Sequence, residues 1–127
     1  MKRRKPRATK RRKPLPSKQK VTKPQRLDPL IEAAIQDWVT RAFEHQQAGR
    51  LSEAGALYRQ VLGNQKDHFD ALHMLGIITH QLGNSVEACE LVSRALNIRP
   101  DNAEAHNSLA IILSSLTRSV EATKHLD

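Results

Sequence analysis

Residues 69–102 read FDALHMLGIITHQLGNSVEACELVSRALNIRPDN, and this stretch decides the fold. Its first half places Leu72, Leu75, Gly76, Thr79 and Leu82 three and four residues apart, the spacing that puts side chains on one face of a helix, and shows no strict alternation. The string LGNSVEA then supplies a glycine for a turn and Asn84 or Ser85 as the cap of a following helix. A second segment with helical spacing runs to RPDN, where Pro100 forbids continuation and Asp101 or Asn102 can cap again. The stretch therefore predicts two helices, roughly 69–82 and 85–97, joined by a tight turn.

Working outward, the same text recurs on both sides. Glu-Ala falls at 53–54, 87–88 and 121–122, a constant interval of 34 residues, and SVEA is repeated verbatim at 85–88 and 119–122. The interval also relates Leu75 to Leu109, Trp38 to Leu72, Leu72 to His106, and the turn positions Gly49, Gly83 and Thr117. Upstream, LDPLIEA opens a helix: Asp28 can cap, Pro29 suits the first helical position, and Glu32 favours the positive end of the helix dipole. The expectation is about six helices in pairs, roughly 29–48 with 52–63, 69–82 with 85–97, and 103–116 with 119–126. A two-helix unit of this length is too thin to bury its own apolar face, so the units must stack into an all-α solenoid. Ala54, Ala88 and Ala122 are expected at equivalent places between neighbouring helices.

With its Leu72, Leu75, Gly76, Ala88, Val92, Ala95 and Pro100, the middle repeat resembles a tetratricopeptide repeat, with Thr79 in the place of the usual aromatic. The third repeat offers His106, Leu109, Ala110, Leu113, Ala122 and Leu126, and the first offers Trp38, Ala42, Ala54, Tyr58 and Val61. Repeats are expected at 35–68, 69–102 and 103–127, the last incomplete. The resemblance implies a right-handed α-solenoid. Gly76, Ala88 and Ala95 stand where helices must approach closely, and Leu72, Leu75, Leu91 and Leu96 fill the rest, each contributing roughly 1.5–3 kcal/mol when fully buried. Arg41 and His45 depart from the pattern in the first helix, which is long and is expected to cap the array with one face toward solvent. At the other end, 25 of 34 positions follow from Ala103, and Leu109, Leu113, Leu116 and Leu126 are expected to lack a covering helix. That leaves a frayed last unit, self-association of two chains through it, or a shortened relative of a longer protein.

Members of this family grip a segment of another protein, and the first helix of each repeat lines the concave surface. Carried over position by position, the groove would be lined by Gln36, Val39, Phe43, Gln46 and Gln47; by Asp70, His73, Ile77, His80 and Gln81; and by Glu104, Asn107, Ile111, Ser114 and Ser115. Amide and imidazole groups there can pair with an extended peptide backbone, over an apolar floor of Phe43, Ile77 and Ile111. The groove is expected to be polar and near-neutral, without the Lys/Arg pairs by which some members clamp a terminal carboxylate. The stretch 70–110 is also similar to repeats in the N-terminal arrays of bacterial glycosyltransferases related to protein O-linked N-acetylglucosamine transferase. There the repeats recruit substrate and a separate, larger domain does the chemistry. No such domain fits in 127 residues, so the expectation is a non-catalytic interaction module.

Charge divides the chain in two. The net charge of +8 arises because 13 of the 21 Lys and Arg lie in residues 1–26, which contain no Asp or Glu; the remainder carries a net −5. Four prolines and few apolar groups give that N-terminal segment nothing to bury against its ordering entropy, so a disordered basic tail is expected. KRRKP occurs in it twice, at 2–6 and 10–14, and resembles short basic nuclear-import signals. The tail could bind nucleic acid or another anionic surface without sequence readout, since no aromatic side chain lies among the cations, or could simply be a solubilising extension. No apolar run suits a secretory signal or a bilayer span, and the expected location is cytoplasmic, or nuclear in a eukaryote.

Other chemistry is sparse. His73 and His80 are seven residues apart, about 10 Å along a helix axis, too far to share a zinc ion. Cys89 is the single cysteine, which rules out an intrachain disulfide and suggests a small packing side chain. No phosphate-binding glycine loop, zincin helix or nucleophile elbow is present, and no cofactor, metal or catalytic residue is expected.

Overall fold

The computed structural model describes residues 27–125, with side chains to Ala122. The expected tail at 1–26 and the expected packing residue Leu126 lie outside the described residues. Five helices follow one another: α1 (Pro29–Gln47), α2 (Leu51–Asn64), α3 (Phe69–Gln81), α4 (Ser85–Ile98) and α5 (Ala103–His125). Among the described residues there is no strand.

The helix starts follow local chemistry. Asp28 Oδ1 accepts from the Leu30 backbone N–H at 2.9 Å with Pro29 in the first turn, and Asn102 Oδ1 accepts from Ala105 N–H at 2.8 Å. Asn84 Oδ1 accepts from Glu87 N–H at 3.3 Å while its Nδ2 donates to Glu87 Oε1 at 3.1 Å, a reciprocal pair that closes the N-terminus of α4. His68 caps α3 through Nδ1, which accepts from Ala71 N–H at 3.1 Å. The cap position of α2 is Arg50, which makes no side-chain bond to the helix.

The turns between α1 and α2 and between α3 and α4 are copies of one another. Gly49 and Gly83 adopt φ of +83° and +98°, a region side chains strongly disfavour. The bond from Arg50 N–H to His45 C=O (2.9 Å) recurs 34 residues later from Asn84 N–H to Thr79 C=O (2.8 Å). At the third copy the position is held by Thr117, and the chain does not turn. Thr117 Oγ1 instead bonds the Leu113 carbonyl one turn back at 3.0 Å, and α5 runs straight through to His125. The expected separate helices at 103–116 and 119–126 are therefore one helix. The physical reason is that a β-branched threonine resists the positive φ that the hairpin requires. Ala54 and Ala88 are fully buried as expected, whereas Ala122 is exposed on the unfolded-back end of α5.

Each helix packs on its sequence neighbours, with α3 also touching α5. A single core runs along the stack, through Tyr58, Leu72, Leu75, Ile78, Val92 and Ile112. Close approach of α3 and α4 centres on Gly76: a Cβ there would lie 2.5 Å from Val92 Cγ2 and 3.3 Å from the Ala88 carbonyl oxygen. Arg99 caps the far end of the same hairpin, its guanidinium 4.4 Å from the centre of the Phe69 ring. At the start of the array Arg41 stays at the surface beside Asp37 (3.5 Å), and half-buried His45 accepts from Arg50 Nε at 2.8 Å, so neither breaks the core.

Candidate functional site

The first helices of successive hairpins, α1, α3 and α5, lie in order, and two depressions form between them. One, of about 370 Å³, lies between α1 and α3 and is lined by Val39, Thr40, Phe43 and Glu44, by Asp70 and Met74, and by Tyr58 of α2 at its base. The other, of about 240 Å³, lies between α3 and α5 and is lined by Ile77, His80, Ser108, Ile111 and Ile112. Helical periodicity produces both. Residues 70, 74 and 77 fall on one stripe of α3, so Asp70 and Met74 serve the first depression and Ile77 the second.

Of the residues carried over from the family pattern, the structure brings Val39, Phe43 and Asp70 together in the first depression and Ile77, His80 and Ile111 in the second. Phe43 and Ile111 are 48% and 52% exposed, large apolar surfaces left open to solvent. His73 lies elsewhere: it is 3% exposed, its ring sits 5.8 Å from that of Phe69, and its Nε2 is 2.9 Å from Ser108 Oγ on α5. It thus holds α3 to α5 and presents nothing to a ligand. Gln46 turns toward α2, where its Oε1 accepts from the Tyr58 hydroxyl at 3.2 Å. Gln36, Gln47, Gln81, Glu104, Asn107 and Ser114 are exposed and Ser115 half-buried, and none lines either depression.

Thr40, Glu44, Tyr58, Met74, Ser108 and Ile112 enter the lining although the pattern did not select them. Met74 and Ser108 were reachable from the sequence, since each lies three or four residues from a selected position on the same face. Tyr58 was not, because it comes from a second helix.

Burial, and then the Asp70 carboxylate, push the Tyr58 phenol up to about 12, so it stays a neutral donor to Gln46. Burial likewise holds the His73 imidazole below its ordinary range, against the opposing pull of Glu104 and Asp70. His80 Nδ1 is 3.0 Å from Ser85 Oγ, which fixes its ring at the rim of the second depression. Among the residues lining the two depressions none is Lys or Arg; both are largely apolar rather than polar as expected, and Glu44 and Asp70 bring two carboxylates to the edge of the first. Among the described residues, no group of three or more His, Cys, Asp or Glu could hold a metal ion, and no helix is long and apolar enough to cross a membrane.

A tetratricopeptide repeat family model matches residues 45–112, more than half of the chain. Among solved structures, a point mutant of the O-GlcNAc transferase of Thermobaculum terrenum is similar at 30% identity and a TM-score of 0.64, over 65% of this chain and 16% of that one. A point mutant of MamA is similar at 23% identity and a TM-score of 0.62, over 72% of this chain and 67% of that one. A further MamA structure matches at 16% identity and a TM-score of 0.63, over 77% of this chain and 59% of that one. The two MamA likenesses concern the fold alone, and this chain spans about a sixth of the transferase. No curated protein sequence matches.

Proposed function

The chain belongs to the tetratricopeptide repeat family, whose arrays are protein-interaction modules, and from that premise we propose that it binds an extended polypeptide segment across α1, α3 and α5. One observation carries the reading: two apolar depressions follow one another along the same succession of helices, with Phe43 and Ile111 half exposed at their mouths. Such pockets suit a peptide that seats two apolar side chains. Glu44 and Asp70 at the first depression favour a Lys or Arg beside the first of them. Thr40, Ser108 and His80 at the rims can pair with peptide amides and carbonyls. The binding requires no catalytic group. The test is selection from a displayed random-peptide library on the purified chain, followed by calorimetry of the enriched peptides. Phe43→Asp and Ile111→Asp should each weaken binding at least about tenfold, equivalent to 1.4 kcal/mol. Enriched peptides that bind these variants as well as the parent would overturn the groove.

A second reading rests on the 30% identity with the O-GlcNAc transferase. The groove would then present a substrate polypeptide to a glycosyltransferase, and glycosylation of a groove-binding peptide would rise when the chain is supplied to such an enzyme.

A further inference from the structure

Two carboxylates at the first depression have no ion-pair partner among the described residues. Glu44 and Asp70 are exposed at its edge, and the ion pairs there are, Arg41–Asp37 at 3.5 Å and Arg59–Glu87 at 3.0 Å, involve neither. Other arginines are engaged elsewhere: Arg50 Nε donates to His45, Arg94 donates to the Lys66 carbonyl oxygen, and Arg99 lies over the Phe69 ring. Asp70 is close enough to the Tyr58 phenol at the base of the depression to oppose its ionisation. The rest of the lining is mostly apolar, with Phe43 exposed and Val39 and Met74 half-buried.

The complementary text is in the chain itself. Residues 10–18 read KRRKPLPSK, with five Lys or Arg, no Asp or Glu, and one large apolar side chain, Leu15. Pro14 and Pro16 flank that leucine, and a residue before proline is restricted to extended backbone, the form that apolar and aromatic grooves accept. The other copy of KRRKP, at 2–6, is followed by RAT and brings no such side chain. Reach is ample. Leu15 precedes Asp28, the cap of α1, by thirteen residues, which can span up to about 43 Å, whereas Phe43 lies only about 22 Å along α1 from that cap.

We propose that residues 10–18 occupy the first depression as a tethered internal ligand, with Leu15 seated against Phe43 and Met74 and the flanking Lys13 and Lys18 beside Glu44 and Asp70. The inference rests on the groove reading above and adds a built-in competitor to it. The segment carries a single apolar anchor. Val21, the next large apolar side chain, is six residues further on, about 19 Å in an extended chain and twice the usual 8–10 Å spacing of packed helices. It therefore fills one depression and leaves the second, lined by Ile77 and Ile111, open. A partner that seats two apolar side chains holds both and displaces it, whereas a peptide with one anchor meets an occupied site.

Calorimetry of one library-enriched peptide on three full-length chains tests the proposal. A tethered segment acts at an effective concentration on the order of 1 mM, so a site holding the free segment with a Kd of about 0.5 mM is about two-thirds occupied and binds an outside peptide about threefold more weakly. Lys10→Gln, Arg11→Gln, Arg12→Gln and Lys13→Gln together with Leu15→Ser should therefore tighten binding about threefold. Leu15→Ser alone keeps every charge and should still tighten it, which relief of repulsion between two basic segments would not do. In the parent chain, nuclear Overhauser contacts should join the Leu15 methyls to the Phe43 ring. Equal affinity for all three chains, or no such contact in the parent, overturns the internal ligand and leaves the groove in place. A peptide that binds the substituted chain equally well once Phe43→Asp is added overturns the groove reading, and the internal ligand with it.

Discussion

Gly76 shows how one atom sets the separation of two helices. A Cβ at Gly76 would have to displace Val92, itself fully buried, whereas a Cβ at Gly63 meets nothing within 4 Å. Gly76→Ala should therefore lower unfolding free energy by about 1–3 kcal/mol, while Gly63→Ala, inside α2, should raise it by up to about 1 kcal/mol through helix propensity. Urea denaturation of the two variants checks the opposite signs. The role of Gly76 was legible in the sequence because closeness leaves a compositional mark. That of His73 was not: its helix position assigned it to the groove, and only the presence of Ser108 on the next repeat's helix explains why it is buried. Its burial has a titration consequence. With the folded imidazole held below its ordinary value of 6.5, the unfolded chain binds more protons, so this contribution to stability is complete above that pH and is lost as pH falls through the folded value. His68, also lowered by burial, adds in the same direction. The melting temperature should fall on acidification below about 6.5, and less steeply in His73→Phe.

For whole helices, start signals decide more than apolar content does. Asn84 satisfies an N-terminal amide of α4 and is held in turn by Glu87, so Asn84→Ala should reduce stability by about 1 kcal/mol, measurable as a lower denaturation midpoint. Arg50 occupies the same place in the first hairpin without such a bond, and the hairpin forms nonetheless because Gly49 supplies the turn. The comparison explains why four of the five helices were legible nearly to the residue and the last was not. Spacing locates where a turn is due; backbone conformation determines whether the chain can make it. Thr117 keeps the interval of 34 yet lacks glycine's freedom, and helix α5 continues. The depressions were legible only in part for a related reason. Positions on one helix follow from periodicity, but a floor supplied by another helix, as by Tyr58, depends on how the helices cross.

Across the whole molecule, packing between successive helices gives an architecture with almost no long connections. The core extends as a line rather than gathering about a centre, with α2, α3 and α4 each flanked on both sides by their sequence neighbours and α1 and α5 each flanked on one. One consequence concerns growth. A second copy of residues 69–102 inserted after Asn102 would begin against a surface its original already fits and would end by offering that same surface again. The elongated chain should fold, with a higher denaturation midpoint, since each added unit brings its own interior and one more junction. An insertion that lowered the midpoint would show that the junctions are not interchangeable. Tandem copying could therefore lengthen the scaffold without any other part of the gene having to change.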